Sequence, residues 1–209
     1  MKEKANAIAA LLEEKYPETE CGLKWQGDPY RLLIMAILSA QCTDARVNIV
    51  AETLFARFPT AYDMAGATLE EIEAEIRSVG LYRSKAKALK ECCTRLTEVY
   101  GGELPREMGD LLTLRGVGRK VANLLRGDVF GLGGIVADTH CIRICGRLGL
   151  SDGRDPLRTE RDLEKLIPLE KQSDFCHRMV LFGREICIAR SPKCEECILL
   201  DFCTYKDKK

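Results

Sequence analysis

The sequence predicts an all-α fold, and two observations carry that prediction. Apolar residues recur at helical spacing along most of the 209 residues, and no stretch of useful length alternates apolar and polar residues as a half-buried strand does. Hydrophobic residues make up 46% of the chain and charged residues 31%, so the apolar content suffices for one sizeable core or two small ones.

The helices can be placed in order from their periodicity and their start signals. The first covers residues 5–15, and later ones end at glycines such as Gly80 and Gly101. Side chains that can cap a helix, or a proline suited to a first turn, mark the other starts. These starts are Asp28 with Pro29, Thr43 or Asp44, Thr60, Thr68 with a capping box to Glu71, Ser84, Thr139, Thr159 with Asp162, and Ser173.

Residues 111–125 carry two short apolar-periodic segments on either side of Gly116-Val117-Gly118, which predicts a helix, a glycine hairpin and a second helix. Glycines at positions 116 and 118 permit positive φ and leave the backbone amides uncovered by side chains. Such amides at the start of a helix attract phosphate oxygens. A plain tight turn between two helices would show the same pattern.

Lys120 falls in the first turn of the second hairpin helix. The positive end of the helix dipole, together with Arg115 and Arg119, disfavours a further positive charge at this position. Because only a neutral amine attacks carbon, Lys120 is a candidate nucleophile. The alternative is an ordinary solvated surface lysine.

The eleven cysteines fall into two groups. Seven are scattered and predicted to be small core residues: Cys21, Cys42, Cys92, Cys93, Cys141, Cys145 and Cys176. The other four form a C-x6-C-x2-C-x5-C run: Cys187, Cys194, Cys197 and Cys203. Four soft thiolates fit zinc or an iron-sulfur cluster. Zinc ribbons usually pair two C-x2-C knuckles and this run has one, so the wider gaps favour a 4Fe-4S cluster while zinc stays open.

Charge offers no bulk argument for a nucleic-acid partner, because the formal net charge is +0 and the pI is near 6.7. Two local basic clusters exist: Arg115, Arg119, Lys120 and Arg126, and then Arg184, Arg190 and Lys193. The N-terminus has mixed charge, and no run approaches the ~18 apolar residues of a membrane span. We expect a soluble cytoplasmic protein without membrane contact.

Several segments together resemble the endonuclease III family of the helix-hairpin-helix DNA glycosylase superfamily. They are residues 114–120, residues 136–140, which contain Asp138 at a helix start, the four-cysteine run, and residues 39–44 and 80–86. The likeness covers essentially the whole chain in the same order. A lone hairpin is weakly specific, whereas the hairpin lysine, the downstream aspartate and the cysteine run are highly specific in combination.

The resemblance implies a fold of two helical subdomains. Residues 22–132 would form a six-helix, barrel-like domain with the helix-hairpin-helix at the edge of the cleft. Residues 1–21 and 133–209 would form a discontinuous domain in which the four cysteines hold a 4Fe-4S cluster. The protein would act as a monomer in the cytoplasm, associated with the nucleoid.

The resemblance also implies a bifunctional glycosylase and abasic-site lyase that acts on oxidised pyrimidines in duplex DNA. Lys120 would attack the sugar C1′ and form a Schiff base, and Asp138 would be its acidic partner. The alternative for Asp138 is a helix cap, which Thr139 could supply instead. Gln41 and Leu81 would fill the gap left by the flipped nucleotide. The expected phosphate contacts are Gly116, Val117, Gly118, Arg190 and Lys193.

Two other interpretations of the sequence compete with this one. The adenine glycosylase branch shares the cluster but typically lacks a lysine at the hairpin position and adds a further domain, so Lys120 and the short chain argue against it. The other is a non-catalytic DNA-binding or redox-sensing module that uses the hairpin for phosphate and the cluster for electrons.

Overall fold

The computed structural model describes residues 1–205, and these residues contain α-helices and short 3-10 turns without a β-strand. The all-α prediction is confirmed. No helix among them is long and apolar enough to cross a membrane. The chain divides into two compact units: a middle unit, Cys21–Phe130, and a terminal unit made of Met1–Glu20 and the chain from Gly131 onward. The expected domain limits, 22–132 against 1–21 and 133–209, stay a prediction, since compactness alone does not define an independently folding domain.

The middle unit is built from seven α-helices around one apolar core. They are α2 (Pro29–Leu38), α3 (Asp44–Arg57), α4 (Ala61–Gly66), α5 (Leu69–Ile76), α6 (Tyr82–Tyr100), α7 (Met108–Leu111) and α8 (Arg119–Asp128). Every residue of α2 from Leu32 to Leu38 is buried. This helix packs against α3, α6 and α8, so it is the centre of the core.

Capping side chains start several of these helices as the sequence predicts. Asp28 accepts hydrogen bonds from the backbone amides of Tyr30 and Arg31, at 2.9 and 3.4 Å. Thr68 and Glu71 form a complete capping box. These local signals are reliable because both partners lie within one turn of the chain.

The start of α6 differs from the prediction. Ser84 is not its cap, because the helix begins at Tyr82 and the preceding Leu81 lies in the left-handed region with φ 61°. No side chain caps this end of the helix. The left-handed residue turns the chain abruptly into α6, and a sequence pattern tuned to capping side chains does not detect it.

The terminal unit contains the remaining α-helices of the described residues. They are α1 (Lys2–Lys15), α9 (Thr139–Leu148), α10 (Pro156–Leu166) and α11 (Gln172–Glu185). Helix α11 packs against α9 and α1, and α1 also touches α10. The predicted capping box of Thr159 is wrong: Asp155 caps α10, and Thr159 is buried in the helix with its hydroxyl 3.3 Å from that of Ser151.

The scattered cysteines are only in part the core residues that the sequence predicts. Five of them are buried: Cys92, Cys93, Cys141, Cys145 and Cys176. Cys21 and Cys42 are half-buried, so the prediction is wrong for these two.

Helix α11 begins at Gln172, one residue before the predicted Ser173.

Candidate functional site

The hairpin of the middle unit joins α7 to α8 and rests on the apolar core. Gly116 has φ 86°, and a Cβ added there would lie 3.1 Å from Cγ2 of Ile37 on α2. The side chain of Val117 is buried, and its backbone N–H donates to the carbonyl of Leu114 at 3.1 Å. Positive φ and close packing therefore both require glycine at position 116.

Gly118 is the N-cap of α8 and behaves differently from Gly116. Its backbone is extended, with φ −95° and ψ 178°, so the expectation of positive φ at both glycines is wrong for this one. A Cβ at Gly118 would meet nothing within 4 Å, and no side chain caps α8. The N-cap residue of α8 thus brings no side chain to the start of the helix, which leaves room for an anion there. The Val117 N–H already donates to the Leu114 carbonyl, so a phosphate bound at the hairpin would have to share this donor with that carbonyl.

Lys120 lies in the first turn of α8 and is exposed. Arg115, on the hairpin, forms an ion pair with Glu91 of α6 at 3.6 Å. The predicted position of Lys120, directly after the hairpin at the start of a helix, is confirmed, whereas its role as a nucleophile stays a prediction.

Gln41 and Leu81 share an unusual backbone conformation. Both lie in the left-handed region, with φ 53° and 61°, which non-glycine residues rarely adopt. Both are exposed, and 61% of the Leu81 side chain is accessible. A Cβ added at Gly80 would lie 3.9 Å from the Gln41 carbonyl oxygen, so the two segments are neighbours.

Asp138 is the N-cap of α9 in the terminal unit. Its Oδ1 accepts a hydrogen bond from the Cys141 amide at 2.7 Å, so the prediction that Thr139 caps this helix is wrong. The positive end of the helix dipole favours a carboxylate here. His140 follows on the same turn, with Nδ1 3.2 Å from the Arg143 guanidinium. Burial lowers the pKa of His140, and the charge of Asp138 opposes that shift.

The four cysteines of the C-terminal run lie in one neighbourhood after α11. All four are half-buried. Burial raises the pKa of the Cys197 thiol, and the other three thiols of the run raise it further, while the Leu199 amide lowers it. No three Cys, His, Asp or Glu side chains among residues 1–205 are placed to hold a single metal ion. A 4Fe-4S cluster does not need that geometry, because it spreads its four irons over a larger volume.

Two arginines of α9 hold this run in place, and the sequence analysis missed both. Arg143 donates to the carbonyls of Gly183 and Cys187, at 3.2 and 2.9 Å. Arg147 donates to the Sγ of Cys187 at 3.1 Å and to the carbonyls of Ile188 and Ala189. Their spacing of four residues on one helix is the only sequence signal, since the carbonyls they meet are distant in the chain.

Arg190 and Lys193 lie between the first two cysteines of the run and are exposed. The Lys193 amide donates to the carbonyl of Ile186 at 2.9 Å and closes the intervening segment into a loop. The loop presents both cations to solvent. Their contact with DNA phosphates stays a prediction.

Comparison with known protein families agrees with this arrangement of motifs. The model of the HhH-GPD superfamily of base excision DNA repair proteins matches residues 34–169, and that of the iron-sulfur binding domain of endonuclease III matches residues 187–203. Endonuclease III of Synechocystis sp. is 45% identical over 203 residues, which are 97% of this chain and 92% of that one. The chain belongs to the endonuclease III family.

Solved structures of endonuclease III have the same fold. A non-covalent endonuclease III–DNA complex matches with a TM-score of 0.92 and 42% identity, over 98% of this chain and 95% of that chain. A trapped endonuclease III–DNA covalent intermediate, an estranged-adenine complex, matches with the same TM-score and identity, over 98% of this chain and 96% of that chain.

Membership of the endonuclease III family establishes the activity of the chain and the identity of its cofactor. The chain is a base-excision-repair DNA glycosylase with lyase activity, and it holds a 4Fe-4S cluster. Zinc and the non-catalytic module are thereby set aside. The roles of individual residues do not follow from membership alone.

Proposed function

We propose that this protein removes oxidised pyrimidines from double-stranded DNA through Lys120. The observation that carries the proposal is the exposed Lys120 in the first turn of α8, directly after the open, glycine-capped start of that helix, which suits a phosphate. A phosphate bound there would hold the sugar-phosphate backbone close to the amine. The protein would act as a monomer on the chromosomal DNA of the cytoplasm.

In the proposed reaction the neutral Lys120 amine attacks C1′ of the damaged nucleotide. The C1′–N bond breaks, and the base leaves with its electron pair and one proton from the amine. The C1′–O4′ bond of the sugar ring then breaks as O4′ takes up the second amine proton, and the opened sugar remains attached to Nζ as a Schiff base. Loss of a proton from C2′ then expels the 3′ phosphate by β-elimination. The chemistry requires a primary amine, so arginine cannot replace Lys120.

Asp138 is proposed as the acidic partner. Its Oδ1 is fixed by the Cys141 amide, which orients the carboxylate and leaves Oδ2 for the reaction. A carboxylate held in this way accepts a proton from the attacking amine and stabilises positive charge on the sugar ring. The aspartate thus serves both the helix and the chemistry.

The remaining contacts are proposed to open the duplex and to grip its backbone. Gln41 and Leu81 would occupy the space of the extruded nucleotide, which a weakly stacked lesion vacates most easily. Arg190, Lys193 and the amides of the hairpin glycines would contact phosphates. The four cysteines, Cys187, Cys194, Cys197 and Cys203, would hold the 4Fe-4S cluster, which would tie together the ends of the segment that carries Arg190 and Lys193.

Borohydride trapping on abasic duplex DNA tests the assignment of Lys120. The wild type and Lys165→Gln, which removes an exposed lysine of α10, should form a covalent adduct. Lys120→Gln should form none, and its turnover should fall at least ~10³-fold, as for loss of a catalytic nucleophile. Equal adduct from Lys120→Gln and the wild type would remove Lys120 from the mechanism. Oligonucleotides that each carry one defined lesion would then rank the preferred bases.

A further inference from the structure

Lys85 is a buried lysine near the start of α6, with only 5% of its surface exposed. Its Nζ donates a hydrogen bond to the carbonyl of Leu38, the last residue of α2, at 2.9 Å. Burial lowers the pKa of this amine, and the nearby Cys42 thiol opposes the shift. A cation is unfavourable both in an apolar interior and near the N-terminus of a helix. Helix α6 itself therefore does not stabilise a lysine at position 85.

The reason is found at the end of α2, where the carbonyls lack helical partners. The Ser39 amide binds the Met35 carbonyl, the Ser39 hydroxyl binds that of Ala36, and the Ala40 amide binds that of Ile37. The Leu38 carbonyl accepts its hydrogen bond from the Lys85 amine. Lys85 thus completes the end of α2, where the negative end of the dipole favours a cation.

The same residue joins the two segments that carry left-handed Gln41 and Leu81. Its amine fixes Leu38, three residues before Gln41, and its backbone N–H donates to the Leu81 carbonyl at 3.0 Å. Rare backbone conformations persist only where the surrounding structure holds them firmly. Lys85 provides such a hold for both residues at once.

We propose that Lys85 is a positioning residue that keeps Gln41 and Leu81 side by side at the surface, ready to enter the DNA helix. This inference rests on the proposed function, in which those two residues fill the gap left by the extruded nucleotide. Lys85 itself touches neither DNA nor the reacting atoms in this proposal. Its effect should therefore depend on whether the duplex has to be opened.

The test compares a lesion in a fully paired duplex with the same lesion opposite a gap, where no partner base needs to be displaced. Lys85→Met keeps the length of the side chain but removes the donor. It should lower kcat/KM on the paired duplex by ~10- to 100-fold, as expected for a displaced contact, and leave the gapped substrate unchanged. Fluorescence of 2-aminopurine placed opposite the lesion should show that Lys85→Met no longer unstacks the partner strand.

Lys90 offers a matched control on the same helix. Its amine also donates to two backbone carbonyls, those of Ala65 and Ala67 at the end of α4. Lys90→Met should cost stability without changing the ratio of activity on paired and gapped substrates. An unchanged ratio in Lys85→Met, or the same altered ratio in Lys90→Met, would overturn the proposal.

Two further arms keep the outcome decisive. If Lys85→Met does not fold, Lys85→Gln, whose side chain is one bond shorter and does not reach the Leu38 carbonyl, supplies the same ratio, and a wild-type ratio in Lys85→Gln overturns the proposal. Lys85→Arg, which keeps a donor of sufficient reach, should restore the wild-type ratio. Borohydride trapping by Lys120→Gln tests the proposed function separately, because it needs no partner base. A trapped adduct there would refute the role of Lys120 while leaving the ratio for Lys85 readable.

Discussion

The two units hold their proposed DNA-contacting loops by different means. In the middle unit the hairpin before α8 lies on a continuous apolar core, with Leu111, Leu114 and Val117 all buried. In the terminal unit, residues 187–205 form only short 3-10 turns, and Leu199 is the one buried residue among them. Hydrogen bonds from Arg143 and Arg147 hold that loop instead, and the four cysteines are proposed to tie it to the cluster.

The difference shows that the two loops are stabilised by different contributions to the free energy of folding. Apolar burial of about 25 cal/mol per Å² stabilises the hairpin without help from a ligand. The cysteine loop buries too little apolar surface for that, so ligation must supply its stability. Loss of the cluster should therefore damage one unit and spare the other.

Removal of one cluster ligand should have the largest effect on this contrast. Cys197→Ser should abolish the brown colour and the absorbance near ~400 nm that iron and sulfide bound by thiolates give. Hydrogen exchange should rise throughout 187–205 while the amides of α2 and α8 stay protected. Cys21→Ser, in the middle unit, should keep the colour. Stoichiometric zinc without sulfide in the wild type would contradict the cluster assignment.

A large-to-small substitution in the core of the middle unit should have the opposite effect: it should destabilise the middle unit and leave the cluster in place. Leu125 of α8 is completely buried, so Leu125→Ala should lower the free energy of unfolding by ~2–5 kcal/mol. Chemical denaturation followed by hydrogen exchange should locate the loss in the middle unit, with the cluster absorbance unchanged. The control Leu112→Ala, at a largely exposed position, should cost about 0.5 kcal/mol or less. Cluster loss in Leu125→Ala would show that the two units are not energetically separate.

A smaller effect is expected at Gly116. Gly116→Ala places a side chain at φ 86° and 3.1 Å from Ile37, so it should cost ~1–3 kcal/mol. Thermal unfolding measures the loss, and weaker DNA binding should accompany it if the hairpin holds phosphate. Gly109→Ala, where an added Cβ meets nothing within 4 Å and no positive φ is required, should be neutral or slightly stabilising. Equal behaviour of the two variants would refute the structural demand at position 116.

The smallest effect concerns the capping box of α5. Thr68→Ala should cost ~1 kcal/mol in the middle unit and nothing in the terminal unit. Hydrogen bonds from the Thr68 amide and hydroxyl, with one from Arg57, lower the pKa of Glu71 below its usual 4.5. This contribution to stability is present above pH 4.5 and is lost as the pH falls through the lowered pKa. An NMR titration should find the Glu71 pKa raised in Thr68→Ala, and an unchanged pKa would contradict the box.

The sequence predicts those parts of the fold whose causes are local. Helical periodicity, the Asp28 cap and the Thr68–Glu71 box all depend on residues within one or two turns of each other, and all three are present. The sequence does not predict the left-handed Leu81 or the extended Gly118, and it assigns the cap of α9 to Thr139, with Asp138 only as the alternative. Each depends on the path of the backbone, which side-chain patterns only partly encode.

The candidate site was predictable to a similar extent. The position of Lys120 and the family of the chain follow from motifs that are contiguous in sequence. The sequence does not predict the hydrogen bonds from Arg143 and Arg147 to the cysteine loop, or the one from Lys85 to the Leu38 carbonyl. Each joins residues more than 35 positions apart, so only the folded chain brings the partners together.

One turn of α2 underlies two of the proposed DNA-contacting features. Ile37 lies under the glycine of the hairpin, and the carbonyl of Leu38 anchors the lysine that steadies Gln41 and Leu81. Neither residue reaches the surface. Because Ile37 contributes its side chain, sequence change at that hidden position should be as restricted as at the residues proposed to meet the nucleic acid, and laboratory libraries that randomise only the visible surface would overlook it.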